Sequence, residues 1–444
     1  YTYSEVYQIS DSFSELLSPE IVYGLAGFND INTVLLYLAL LYNKCTFLIF
    51  DPSILKNKNN FITSIGLNKI ISSLNLKELD QNEYLKKNYM EKNLKLFLYE
   101  KKINFKKIKF TTPSILLNTS GSSGTPKIVR ISYQNLKSNT LGIINSLNLT
   151  NNDKSISNLP LFYTYGLSIL NTHMCTGGTF YITNNSVLQK SFEEEFSSFK
   201  PSIFSGVPST YEILKKIDYL YIRQPYLRKL TQAGGALDLV TQSEILEICS
   251  SSKDFYVMYG QTEATARITC FNLRTNPKKI GSVGLPLDNL SIEINDQDKF
   301  TKVGRICVRG PSITTGYILD CSELIAEPVN RILDTGDLGY LDEDGFLFIT
   351  GRSSRFCKIN GKRYNLDVIE KEYNSLDQNK IYAVSDDNIL FIFSTAVISK
   401  KLFKTNGIHP TLIKIIKIDD IPLKANGKIN YSFLLKLAKQ EEIN

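Results

Sequence analysis

The sequence predicts a mixed α/β and α+β chain, and three observations carry that reading. Through the first 250 residues, apolar strand-like runs alternate with runs of helical spacing, the rhythm of βα units. From Gly281 to Phe348 the pattern changes to short alternating runs separated by Gly and Asp, which reads as β-structure. After Arg352 the chain is charged and poor in glycine, and it ends in a Lys-containing helical run from Tyr431 to Gln440.

Taken in order, Val34 to Tyr42 reads as a buried helix leading into a strand at Thr46 to Phe50 that ends at Asp51-Pro52. Lys56 to Lys109 is rich in Lys and Asn, and its patterning is that of amphipathic helices. Ser114 to Leu117 reads as a strand feeding a glycine-rich loop, after which Tyr133 to Leu147 has helical spacing. A further βα series covers Ser155 to Ser250, punctuated by Pro201, Pro208 and Gly234-Gly235. Ser291 to Ile294 and Gly304 to Val308 are short strands, and a domain boundary is expected at Arg352 to Arg355.

With 444 residues and 43% hydrophobic content the chain can bury a large core, and its length favours two or more domains. A charged fraction of 21% and an aromatic fraction of 11% exclude a disordered chain. The net charge of +7 suits an anionic small molecule or a phosphopantetheine carrier, and no basic block with interleaved aromatics argues for nucleic acid. The seven cysteines form no C-x-x-C pair and there are two histidines, so no zinc spacing exists and a reducing compartment is expected. The longest apolar stretch, Thr33 to Tyr42, is about half the ~20 residues a membrane span needs. The chain opens at Tyr1, without Met and without a signal-like segment; the expectation is a cytoplasmic protein trimmed of a few leading residues.

Four segments carry chemistry. The loop Thr119 to Lys127, T-S-G-S-S-G-T-P-K, follows a strand and is expected to lead into a helix. Small side chains leave its backbone N–H groups open to phosphate oxygens; Thr119, Ser120, Ser122 and Ser123 add hydroxyls, Lys127 adds charge, and Gly121, Gly124 and Thr125 complete the run. No Lys-Ser/Thr pair follows its second glycine, so it is not a Walker loop, and taken alone it also reads as a Ser/Gly linker. In Tyr259 to Glu263, Y-G-Q-T-E, an aromatic beside Gly260 can stack on a flat base, Thr262 can donate to phosphate and Glu263 is a hard oxygen ligand suited to Mg²⁺. By itself this pentapeptide reads equally as a surface turn. Asp337 can accept from both hydroxyls of a ribose and Arg352 can reach ribose or phosphate with its planar fork, while Asp342 and Asp344 read as turn residues before Gly345. Lys428, in P-L-K-A-N-G-K at Pro422 to Lys428, stands at the tip of a turn from which its ammonium can be projected into another domain's cleft; alone, that segment reads as a solvated hairpin.

The order and spacing of these segments resemble the adenylate-forming superfamily of acyl-CoA synthetases, firefly-luciferase-like enzymes and the adenylation domains of nonribosomal peptide synthetases. The resemblance extends from Thr2-Tyr3-Ser4-Glu5 to Lys428. It takes in Leu159 to Leu167, Lys200 to Ser209, A-G-G-A at Ala233 to Ala236, G-S-V-G-L-P at Gly281 to Pro286 and Gly351 to Arg363. It implies a large adenylation domain, residues 1–352, of two α/β sheet layers and a β-barrel-like subdomain, and a small mobile C-terminal domain, residues 353–444, with ATP between them. It implies that Thr119 to Lys127 grips phosphate and that Gly234, Gly235 and Ala236 line the adenine and acyl pocket. Tyr259 would lie against adenine, Thr262 and Glu263 would contact phosphate and Mg²⁺, and Asp337 and Arg352 would bind ribose. Lys428 would be the catalytic lysine, with Tyr163 and Val207 at the acyl pocket. The implied reaction is ATP-dependent formation of an acyl-AMP followed by transfer to the thiol of CoA or a carrier protein. Adenylation alone, with the acyl group passed to an amine or another enzyme, and nucleotide binding without turnover are the other readings.

The chain departs from the family pattern in places. Ser354 replaces an acidic or basic hinge residue, Tyr163 stands where His is common, Ile128 follows the phosphate loop in place of Gly, and Tyr431 replaces an Arg after the lysine motif. The hinge would lie near Ser354, and the face carrying Lys358 to Gly361 would close the site for thioester formation. Leu159 to Leu170 holds no acidic residue to pair an α-ammonium, so a fatty, hydroxy or aryl acid is favoured over an amino acid. Phe162, Tyr163, Phe204 and Val207 read as either pocket wall or core.

Overall fold

The computed structural model describes residues 1–57, 67, 69–77, 79, 84–91, 94–102, 112–119, 127–249, 252–318, 323–324, 332–359, 362–376, 380–386, 388–398, 408–424 and 427–440. Among them the strands form five sheets. The first runs in the order Tyr317–Ile318, Lys127–Ser132, Ser114–Thr119, Thr46–Phe50, Val22–Ala26, Lys69–Ser72, Leu94–Lys101, Tyr84–Glu91. Its centre is parallel and carries unbroken apolar strands: Val22–Ala26 and Thr46–Phe50 are buried at every position, as a sheet covered on both faces requires. The second sheet has Asp254–Tyr259, Lys229–Gln232, Ile203–Gly206, Lys154–Ser157 and Thr179–Ile182 in parallel, with the antiparallel strands Thr269–Asn272 and Leu285–Pro286 at one edge.

Helices connect these strands, and local chemistry starts several of them. Thr2 and Glu5 make a reciprocal capping box before helix Tyr3–Ser12, and Ser132 with Asn135 does the same for Tyr133–Leu147. Asp30 caps Ile31–Tyr42 by accepting from the Thr33 N–H. Helix Tyr133–Leu147 packs on helix Thr164–Thr176, whose first turn borders the site described below.

The mixed α/β and α+β class predicted from sequence is what the chain adopts. Two elements differ from expectation. Lys56 to Lys109, expected to be helical, contributes the strands Lys69–Ser72, Tyr84–Glu91 and Leu94–Lys101. Leu96 and Leu98 are buried against the first core, while Tyr84–Glu91 is the sheet edge, where Lys86 and Lys87 face solvent and discourage further pairing. The second difference is that the loop after Ser114–Thr119 returns as the antiparallel strand Lys127–Ser132 before helix Tyr133–Leu147 begins. The expected helix therefore does not begin directly after Lys127. The barrel-like portion is a four-stranded antiparallel sheet, in the order Ser291–Asn295, Gly304–Arg309, Leu333–Leu341, Leu347–Arg352.

The single 3₁₀ turn Ser353–Arg355 follows, with Ser354 in its middle. Beyond it lie the hairpin Phe356–Ile359 with Lys362–Asn365, the helix Leu366–Leu376, a three-stranded sheet and the helix Tyr431–Gln440. These bury cores of their own around Ile359, Ile369 and Ile392 and around Phe391, Phe393 and Leu434.

Candidate functional site

The strand Asp254–Tyr259 ends at Gly260, and the chain then turns through the short helix Thr262–Ala264. A side chain at Gly260 would collide with the Ala266 carbonyl oxygen, so this glycine is demanded by the turn itself. Tyr259 reaches across to the third sheet, and its hydroxyl donates to Asp337 Oδ2 at 2.5 Å. Strand register sets Asp337 opposite Arg352, and Arg352 Nε lies 3.1 Å from Asp337 Oδ1. Burial raises the Asp337 pKa and the Arg352 guanidinium opposes that shift; burial also raises the Tyr259 phenol, helped by the Asp337 charge. Tyr259, Asp337 and Arg352 therefore form one linked row.

Glu263 is half-buried and its Oε1 accepts from the Tyr317 hydroxyl at 2.6 Å. Tyr317 also lies beneath Lys127, whose Nζ is 4.7 Å from the ring centroid. The far end of the glycine-rich loop is thus tied to the strand that holds Glu263. At the near end Thr119 Oγ1 donates to the Lys127 carbonyl at 3.4 Å. Ser120, Gly121, Ser122, Ser123, Gly124 and Thr125 lie outside the described residues, as do Cys321, Asn360 and Gly361. Cys45, Cys175, Cys249, Cys270 and Cys307 are free thiols.

Gly234 follows the strand Lys229–Gln232 with φ +90°, and a side chain there would meet the Tyr163 phenol oxygen and come within 3.2 Å of Val207 Cγ1. Gly235 packs over Pro208 and its carbonyl accepts from Gln232 Nε2, whereas Ala236 is exposed. Tyr163 precedes the helix Thr164–Thr176, and its ring meets Tyr165 edge-on at 6.4 Å between centroids. Of the apolar residues read as wall or core, Phe204 is core, packed among Phe192 and Phe196, and Phe162 packs beside Leu161 and Leu167.

Lys428 comes to this site from the far side of Ser354. It follows a tight turn in which Gly427, φ +76°, donates to the Lys424 carbonyl and Lys424 N–H donates to the Lys428 carbonyl. That turn docks on the larger part of the chain: Ser209 Oγ donates to the Gly427 carbonyl at 3.2 Å. Lys428 Nζ then lies 5.6 Å from the Tyr163 ring centroid. Burial and the Arg352 and Lys424 charges lower its pKa to about 8, while Asp337 and Glu263 pull the other way. A second contact across the same boundary joins Lys380 Nζ to Glu212 Oε1 at 2.5 Å and Asp238 Oδ2 at 3.2 Å.

Ser354 itself is exposed, and its flanks are held by one carboxylate. Asp367 Oδ2 accepts from the Arg352 N–H at 2.9 Å and its Oδ1 from Arg355 Nε at 2.8 Å. Arg355 is further bonded to Glu370 and stacks 3.8 Å from the centre of the Tyr431 ring.

Sequence reasoning passed over Tyr317, Lys380 and Arg267. The first two carry no local signal. Arg267 carried one: it is a lone cation in the small and apolar run Ala264-Thr265-Ala266-Arg267-Ile268 directly after Y-G-Q-T-E. It is 3% exposed, and burial lowers its pKa.

The donor set fits a nucleoside triphosphate with Mg²⁺. Glu263, with the Thr262 hydroxyl beside it, offers one carboxylate, and Mg²⁺ is held by one or two where substrate phosphates complete its shell. Among the described residues no cluster of three or more His, Cys, Asp or Glu is placed to hold a metal by itself, and no helix is long and apolar enough to cross a membrane.

The chain is similar to known ligases in sequence and in fold. The chain is 28% identical over 344 residues to the oxalate–CoA ligase of Saccharomyces cerevisiae, a match covering 71% of this chain and 61% of that enzyme. It is 30% identical over 333 residues to the 2-succinylbenzoate–CoA ligase of Listeria monocytogenes, covering 71% of this chain and 68% of the relative. Its fold matches the o-succinylbenzoate CoA synthetase of Bacillus subtilis in complex with an acyl-adenylate, with TM-score 0.76 at 20% identity over 98% of this chain and 93% of that one. Residues 1–318 match the model of the AMP-binding enzyme family, and the chain belongs to that family.

Proposed function

We propose that the protein is an acid–thiol ligase that converts a carboxylic acid to its acyl-AMP with ATP and then transfers the acyl group to CoA. The observation that carries this reading is the approach of Lys428 to Tyr163, which brings an ammonium into the same site as Glu263 and Asp337. In the first step a substrate carboxylate oxygen bonds to the α-phosphorus, the bond from that phosphorus to the bridging oxygen of the β-phosphate breaks, and pyrophosphate leaves. Two anions meet, and charge accumulates on the phosphoryl oxygens. Lys428 is placed to neutralise that charge as it develops, and no side-chain nucleophile is required. Glu263 would hold Mg²⁺, which would supply further charge neutralisation at the phosphates. Tyr259 packs against the adenine, and Asp337, kept in place by Tyr259 and Arg352, accepts from the ribose hydroxyls. Thr119, the loop through Thr125, and Lys127 grip the departing phosphates, and Gly234, Gly235, Ala236, Tyr163 and Val207 shape the acyl pocket.

In the second step the thiol sulfur bonds to the acyl carbon, AMP leaves and the thiol proton goes to solvent. The relatives named as CoA ligases favour CoA as acceptor. A carrier protein presents the same pantetheine thiol, so a comparison of the two acceptors separates them. We infer a division at 352/353 with Ser354 as the hinge, because the sheets on either side share no strand. The free thiols of Cys45, Cys175, Cys249, Cys270 and Cys307 support a reducing cytoplasmic setting.

The test is carboxylate-dependent pyrophosphate exchange across fatty, hydroxy, aryl and amino acids, followed by thioester formation with CoA. Exchange without thioester would mark an adenylation-only ligase. No exchange with any acid would remove the enzyme reading.

A further inference from the structure

Among the described residues, Arg267 is buried without an anion beside it. Its guanidinium packs 4.4 Å from the Tyr165 ring centroid, and its terminal nitrogens donate to Ser168 Oγ and the Ala266 carbonyl, each at 3.3 Å. Among the described residues its Nε has no acceptor. The ionisable groups acting on it most strongly are Tyr165, Tyr163 and Cys270, none of them a carboxylate. A charge kept out of water with a phenyl face and two long hydrogen bonds is poorly compensated.

Its position relates it to the reaction. Lys428 packs on Tyr163, Tyr163 meets Tyr165 edge-on, and Tyr165 carries Arg267. The row runs from the ammonium expected at the reacting carboxylate into the apolar core that also holds Val207, Ala233 and Met258. An acid with its reacting end at Lys428 extends its tail along Tyr163 toward the guanidinium. An apolar tail would leave that cation unpaired, and an ammonium would be repelled by it. A planar carboxylate would match its fork.

The geometry points to Arg267 as the specificity-determining residue of the acyl pocket, pairing with a second carboxylate on the substrate, so that the acid activated is a dicarboxylic acid. This rests on the acid-activating reading above and deepens it. The competing role is a structural one, in which Arg267 only clamps Tyr165.

The test uses the full chain and acids matched in length, succinate against butyrate, glutarate against pentanoate, adipate against hexanoate and phthalate against benzoate. Both pyrophosphate exchange and calorimetric binding are measured. The expected result is that at least one diacid exceeds its monoacid partner by about 10²-fold in kcat/KM. Arg267→Met removes that preference by raising the diacid KM far more than the monoacid KM, with kcat little changed, while Arg267→Lys keeps part of it. A wild-type chain that uses monoacids as well as diacids overturns the inference, as does a variant that weakens both members of a pair equally. Should Arg267→Met not fold, the wild-type comparison and Arg267→Lys decide the matter. Absence of exchange with every acid removes the ligase reading alone: diacid binding that weakens in the variants still places the carboxylate at Arg267, and absent diacid binding overturns this inference too.

Discussion

The Lys428 ammonium lies 5.6 Å from the centre of the Tyr163 ring, though the two residues stand on opposite sides of the Ser353–Arg355 turn. On the proposed function, this contact brings the ammonium to the site of acyl-AMP formation. Lys428→Ala is expected to slow pyrophosphate exchange by about 10²–10³-fold, the usual cost of one lost contact to developing charge. Thioester formation from supplied acyl-AMP should persist, because that step no longer needs the phosphoryl charge neutralised. Equal loss in both half-reactions would remove the role given to Lys428.

With a pKa lowered to about 8, Lys428 is a cation below that pH and loses its charge above it. Adenylation kcat/KM should be level up to about pH 8 and then fall about tenfold per pH unit. Lys428→Arg, which stays charged, should lose that limb. Stability runs the other way. The unfolded chain, with a lysine pKa near 10.4, binds more protons than the folded one between about pH 8 and 10.4, so this residue's contribution to stability rises through that window. Urea midpoints of wild type and Lys428→Met across the window measure the difference.

Tyr259 and Arg352 hold the carboxylate of Asp337, which is 7% exposed. Tyr259→Phe takes away one donor while keeping the ring. A loss of about 1–3 kcal/mol is expected, read as a lower urea midpoint at unchanged slope. A raised KM for ATP should accompany it. In a cycle with Asp337→Asn the two changes should be strongly non-additive.

At Gly234 the positive φ and the Tyr163 phenol each oppose a side chain. Gly234→Ala should destabilise by at least about 1 kcal/mol from the backbone alone. Adding Tyr163→Phe removes the colliding oxygen but not the backbone strain, so thermal denaturation should show partial recovery in the double variant. Full recovery would show that φ contributes nothing.

Lys380 bridges to Glu212 and Asp238 across the same boundary as Lys428, in a partly exposed setting. Its double-mutant coupling with Glu212 should stay below about 1 kcal/mol and shrink as salt is raised. Lys380→Ala should slow adenylation modestly and leave thioester formation unchanged.

What was legible in the sequence was local or ordered along the chain. Helix Tyr133–Leu147 was readable because its apolar spacing lies within its own residues, and strand Thr46–Phe50 because a fully buried parallel strand is an unbroken apolar run. The order of the glycine-rich loop, Tyr259 to Glu263, Asp337, Arg352 and Lys428 was likewise enough to indicate the family. Lys56 to Lys109 misled, because a Lys-rich edge strand buries little and its identity rests on the neighbour it pairs with. Tertiary structure alone decided that Tyr317 reaches Glu263 and that Arg267 is buried against Tyr165. Each of those depends on groups far apart in the chain meeting at hydrogen-bond or van der Waals distance. Periodicity and propensity act over a few residues and carry no information about such meetings.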